Sequence, residues 1–151
     1  MKNFLSSVVL LIGLVAATAC KKSDSSSSNP APPIIGNLDG SQQVPAVTTT
    51  ARGTITGTFD KVSNRLKYAV TFSGLMPIGA HFHTGGPGVS GPIAIELPKN
   101  NAAQDGYVSP IEGAFVLSPA NATALTSNNF YVNLHTAAYT GGEIRAIITI
   151  K

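Results

Sequence analysis

What most limits the folds open to this chain is a two-residue apolar alternation that recurs from Gly36 onward. In GTITGTF, Ile55, Gly57 and Phe59 fall on one side and threonines on the other, and RLKYAVTF places Leu66, Tyr68, Val70 and Phe72 on one face. PIAIEL offers Ile93, Ile95 and Leu97; FYVNLHT offers Phe130, Val132 and Leu134; EIRAIITI offers Ile144, Ala146, Ile148 and Ile150. Successive side chains on a strand point to opposite faces, so this pattern predicts antiparallel strands, each covered on one side. The stretches between them are rich in Gly, Pro, Asn and Ser, the residues of turns. One segment departs from the pattern. In LSPANATALTSNN, Ser118 can cap and Pro119 can take the first helical position, which predicts one short helix near 119–126. About seven or eight short strands in roughly 115 residues predict an all-β fold, an antiparallel β-sandwich or flattened barrel of the immunoglobulin-like or superoxide-dismutase-like kind. A domain of that size buries roughly two-thirds of its unfolded surface and needs neither disulfide nor metal to fold.

The first 35 residues read differently. MKNFLSSVVLLIGLVAATAC has a lysine near its start, an uncharged apolar stretch from Val8 to Ala17, and small residues up to Cys20, which reads as a signal peptide over residues 1–19. ATAC resembles the bacterial lipobox, with Ala17 where leucine is usual, and the resemblance implies that Cys20 is lipidated. The chain has a single cysteine, so it cannot form an internal disulfide, and anchoring gives that thiol a purpose. A cysteine of this kind usually carries palmitate among its acyl chains, and more than one chain is needed for stable attachment. The following KKSDSSSSNPAPP cannot bury enough apolar surface to order itself, so residues 20–35 are read as a lipidated cysteine and disordered tether. Residues 36–151 are read as the domain. The formal net charge of +3 largely belongs to the leader and tether: residues 36–151 hold seven Lys/Arg against six acids with no basic run, which argues against a nucleic-acid partner.

Four stretches then become familiar together: DGSQQVPAVTTTARGTITGTFD, LKYAVTFSGL, AHFHTGGPGVSGPIAIEL and NFYVNLHTAAYTGGEIRAIITI. From end to end they resemble the CHRD domain, a family named after chordin and widespread in secreted bacterial proteins. Gln43 stands where the family commonly has glutamate, Ala146 where glycine follows E-I-R, and Thr140 where proline is frequent. The resemblance implies a β-sandwich and an extracytoplasmic location, with no assigned activity for many bacterial members. At the level of a sandwich with an H-x-H strand, the family is similar to copper/zinc superoxide dismutases.

The chain has three histidines, His81, His83 and His135, two of them in H-x-H and all beside Gly-rich runs. His81 and His83 share a strand face and Phe82 takes the other; their Cβ atoms are expected about 7 Å apart. With Leu134 inward, His135 points outward with Tyr131 and Asn133. Three imidazoles on one surface suit zinc or copper. A structural role competes: an imidazole can donate one nitrogen to a loop carbonyl and accept on the other from a backbone N–H. Acid/base catalysis is the third reading. Glu143 and Arg145, also two apart, allow a surface ion pair or, as the better reading, an Arg145 that reaches carbonyls of the H-x-H loop.

These features give the leading expectation: a non-catalytic binding or structural module, without a cofactor, lipid-anchored in the bacterial cell envelope, most simply at the outer membrane. Its partners would be the membrane, through the lipid, and an extracytoplasmic protein or glycan. In that reading His81, His83, His135, Glu143 and Arg145 are structural; the alternative makes the three histidines zinc or copper ligands, with redox activity open.

Overall fold

The computed structural model describes residues 30–103 and 105–151. The leader, Cys20 and the tether up to residue 29 lie outside the described residues. Among the described residues nine strands and one α-helix follow in order, with a single 3-10 turn at Gly40–Gln42 after the first strand: β1 (Pro33–Leu38), β2 (Arg52–Asp60), β3 (Arg65–Ser73), β4 (Gly79–Thr84), β5 (Ile93–Glu96), β6 (Ile111–Val116), α1 (Pro119–Thr126), β7 (Phe130–His135), β8 (Ile144–Ile147) and β9 (Thr149–Ile150). They form two antiparallel sheets, β6-β3-β2-β1-β9 and β5-β4-β7-β8, so the fold is an all-β sandwich. The helix falls on the expected residues, and Ser118 Oγ accepts from Asn121 N as its N-cap.

The alternation places the core. Ile55 and Phe59 of β2, Leu66, Tyr68 and Val70 of β3, and Val132 and Leu134 of β7 are all buried and meet between the sheets. Phe82 sits at the centre with no exposed surface, its ring 5.1 Å edge-on to Tyr68 and 5.5 Å from Phe130. Burial of this kind contributes about 25 cal/mol per Å² of apolar surface removed from water, which is why so short a chain needs no covalent staple.

Three sequence expectations need correction. Chain pairing begins at Pro33, which faces Thr58 of β2, so residues 33–35 belong to the sandwich and not to the tether. EIRAIITI is not one strand: Ile144–Ile147 pairs with β7, while Thr149–Ile150 crosses to pair with β1 in the other sheet. Ile93 is 57% exposed, because the register of β4 against β5 shifts at Phe82/His83 and β5 lies at a sheet edge.

Candidate functional site

The site lies on the face of the four-stranded sheet turned away from the core. Cross-strand register builds it in rows: His83 faces Tyr131 and Tyr131 faces Ile147; His81 faces Asn133 and Asn133 faces Arg145; Gly79 faces His135. Paired residues point to the same side of a sheet, so the side chains opposite the apolar set of Phe82, Val132 and Leu134 collect here. The three histidines converge. One ligand nitrogen from each lies within 4.8 Å of the others.

The alternation assigned this face to the outside, and the structure adds a roof. Tyr131, Asn133 and Arg145 are 2%, 3% and 1% exposed although they leave the core side of the sheet. The segment after β4, residues 85–91, folds back over them. Arg145 holds it with Nη2 donating to Gly86 O (2.8 Å) and Val89 O (2.9 Å), as the better of the two sequence readings expected. Gly91 packs so tightly that a Cβ there would sit 1.6 Å from Thr84 O, which leaves room only for glycine. A second cover, residues 136–143, is fastened by Glu143. Its carboxylate accepts from Thr49 Oγ1 and Thr136 Oγ1, each at 2.7 Å, and not from Arg145. The surface ion pair considered for Glu143 and Arg145 is therefore replaced by two unrelated roles.

The hydrogen bonds define the tautomers. His83 Nδ1 donates to Gly91 O (3.0 Å) and His135 Nδ1 donates to Thr140 O (2.8 Å), since a carbonyl can only accept. That is half of the expected clamp. The other half, acceptance from a backbone N–H, is not what the second nitrogens do. His83 Nε2 is buried and meets no partner at full hydrogen-bond geometry among the described residues, although the Asn133 side chain lies close enough to favour its protonated form. His135 Nε2, a lone pair in the neutral ring, faces His81 Nδ1 at 2.9 Å and Asn133 Oδ1 at 2.9 Å. His81 Nδ1–H can donate to that lone pair, and the Asn133 carboxamide, either end of which can turn toward the ring, lies beside it. Anchoring the far nitrogen of an imidazole to a carbonyl is also how metal-ligating histidines are oriented.

The fit to an ion is close. Ligand nitrogens at about 2.0–2.1 Å from one metal lie about 3.3 Å apart in a tetrahedron, so the His81–His135 pair at 2.9 Å opens slightly while the widest separation, within 4.8 Å, closes by about 1.5 Å. His83 is braced on one side by Tyr131, with rings 4.8 Å apart and 5° from parallel, and Tyr131 is capped on its other side by the Arg145 guanidinium at 3.5 Å. Tyr131 and Asn133 lie on the histidine side, as the alternation expects, with contacts the alternation does not specify; Gln43, which approaches from the segment after β1, shows in the sequence only as a departure from the family's usual glutamate.

Burial pushes all three histidines below their ordinary value. For His81 the neighbouring His135 and His83 add to the effect; for His83 the Gly91 carbonyl and the Asn133 side chain oppose it while His135 and Arg145 add to it; for His135 the Thr140 carbonyl opposes it. The rings are therefore held neutral, the form that binds metal. Because the folded values lie below the unfolded 6.5, the unfolded chain binds more protons once pH drops past that point. The contribution of the neutral rings to stability is complete above pH 6.5 and is lost as pH falls from there through the folded values. Urea unfolding in chelator between pH 8 and 5 should show a loss of stability that begins near 6.5. A flat profile over that range would contradict the burial of the three rings.

The model of the CHRD domain family matches residues 35–148. No curated protein and no solved structure matches the chain.

Proposed function

The chain belongs to the CHRD domain family, and on that premise we propose that it is an extracytoplasmic module whose His81, His83 and His135 hold one zinc or copper ion. The carrying observation is the state of the ring nitrogens. His83 and His135 have their Nδ1 atoms tied to carbonyls, and the buried Nε2 of His83 meets no partner at full hydrogen-bond geometry among the described residues. A purely structural clamp would bring both ring nitrogens into good hydrogen-bond geometry, since a buried group left without it costs up to about 1–3 kcal/mol. Asn133 Oδ1 stands ready as a neighbour to the ion or to a water on its open position. The module is non-catalytic in this reading, and the ion would be held for binding or presentation. Elemental analysis of purified residues 21–151, loaded with zinc or copper and then dialysed, should return one metal per chain. A metal content at background, or one unchanged when all three histidines are replaced, would refute the site.

The same reading makes the protein a lipoprotein of the bacterial envelope, most simply of the outer membrane. Its support is the lone Cys20 at the end of an apolar leader, followed by Lys21 and Lys22, which suit anionic head groups. Cys20→Ser should abolish incorporation of radiolabelled palmitate in cells and block removal of residues 1–19. Equal labelling of the variant and the native chain would exclude the anchor.

A further inference from the structure

Of the three rings in the centre, His81 is the one whose far nitrogen is not held. His83 and His135 each have Nδ1 bonded to a carbonyl, of Gly91 and Thr140, which leaves Nε2 as the free donor atom. In His81 the roles are reversed. Its Nδ1 lies 2.9 Å from His135 Nε2 and is therefore the nitrogen turned to the centre, while its Nε2 has no hydrogen-bond partner among the described residues. The ring proton of His135 sits on Nδ1, so His135 Nε2 can only accept, and the 2.9 Å contact places the proton of neutral His81 on Nδ1. An ion needs a lone pair at that same atom. Loading the centre must therefore move the His81 proton to Nε2, whereas His83 and His135 already present the ligating tautomer.

The cross-strand register sets a carboxylate beside that new N–H. His81 faces Glu96 on β5, so the two side chains leave the sheet on the same side with Cβ atoms about 4.5–5.5 Å apart, while the next pair, Phe82 and Ile95, turns to the core. Glu96 is exposed and makes no hydrogen bond or ion pair among the described residues. Its neighbours are engaged elsewhere: Lys99 pairs with Asp105 at 2.9 Å, and Tyr107 Oη donates to Leu97 O. Burial and the two other histidines push His81 below its ordinary value, and the Glu96 carboxylate pulls the other way. The geometry points to Glu96 as the positioning residue of the centre: when an ion takes His81 Nδ1, the Glu96 carboxylate accepts from Nε2–H and locks the ring in its ligating tautomer. The inference rests on the reading of the three histidines as ligands. It completes a pattern in which each ligand imidazole is held through its far nitrogen, by Gly91 O, by Thr140 O and by Glu96. Because this bond forms only with the ion bound, its loss weakens the ion's hold and not the empty fold.

Zinc affinity and ring tautomers test the assignment together, with diamagnetic cuprous copper as the probe if zinc is not taken up. In competition against a chromophoric chelator, Glu96→Ala should bind zinc at least about tenfold more weakly than the native chain. Glu96→Gln, whose amide oxygen can still accept from Nε2–H, should fall between the two. Imidazole nitrogen chemical shifts of the native chain should report Nδ1–H for His81 in chelator and Nε2–H with the ion, while His83 and His135 keep Nδ1–H throughout. In chelator the urea midpoint of Glu96→Ala should equal the native one. An unchanged zinc Kd in Glu96→Ala overturns the role of Glu96 and leaves the histidine centre standing, and so does a loaded His81 that ligates through Nε2. A midpoint that falls in chelator would make Glu96 a support of the strand and overturn its role as well. A native chain that takes up neither ion removes the centre and this inference with it.

Discussion

Replacing Phe82 by alanine is expected to destabilise the domain by about 3–5 kcal/mol, with a large fall in the urea midpoint. The residue has no exposed surface and is the hinge of an aromatic cluster: Tyr68 meets it edge-on at 5.1 Å, Phe115 at 6.4 Å, and Phe130 stacks at 5.5 Å. Removing the ring therefore leaves a cavity lined by other rings from both sheets, which cannot all move inward without losing their own contacts. Phe82 also stands between His81 and His83 on β4, so the same change loosens the strand that sets the spacing of two histidines. Leu134→Ala, on the neighbouring β7 and equally buried, should cost about 2–5 kcal/mol by the same route. A loss within about 0.5 kcal/mol for either would mean that these side chains do not face the core.

That Phe82, Val132 and Leu134 face inward was legible in the sequence because alternation is a local property: a strand's own neighbours decide which face is apolar. The helix was legible for the same reason, since Ser118 and Pro119 act within one turn. What failed depends on distant partners. The break in EIRAIITI arises because Ile34 and Ile35 of β1 recruit Thr149 and Ile150, which only the assembled sandwich brings near. The roof over the histidines is held by Arg145 bonds that span 59 and 56 residues, so residues read as outward turned out to be buried. The convergence of His135 on His81 and His83 was conditional on strand adjacency, and the pairing of β4 with β7 supplies it. Gln43 was noted only as a departure from the family pattern; its unsatisfied amide became visible when the fold set it in the same cavity as Arg145.

Thermal unfolding of the native chain, His83→Ala and His135→Ala, each in chelator and in zinc or copper, separates a ligand from a clamp. In chelator both variants should melt lower. His83→Ala removes the donor to Gly91 O, leaving that carbonyl only a 3.4 Å contact from Tyr131 Oη, and His135→Ala removes the donor to Thr140 O. Each loss should cost about 1–3 kcal/mol. A clamp predicts this and nothing more. A metal centre predicts a second effect, because an ion that binds the folded chain alone stabilises it by mass action. At a free concentration one hundred times its Kd, the gain is about 2.7 kcal/mol, or a rise in Tm on the order of 10 °C for a domain of this size. The native chain should show that rise at pH 7.5 and should lose it progressively as pH falls through the rings' folded values, which burial holds below 6.5, because protons then compete with the ion for the ring nitrogens. Neither variant should respond, because two imidazoles with an exposed open side hold these ions far more weakly than three. If metal moves none of the three curves while both variants still melt lower, the histidines serve as loop fasteners and the proposed centre is wrong. If metal raises a variant's curve as much as the native one, the ion sits elsewhere on the protein and the assignment of His83 or His135 as its ligand fails.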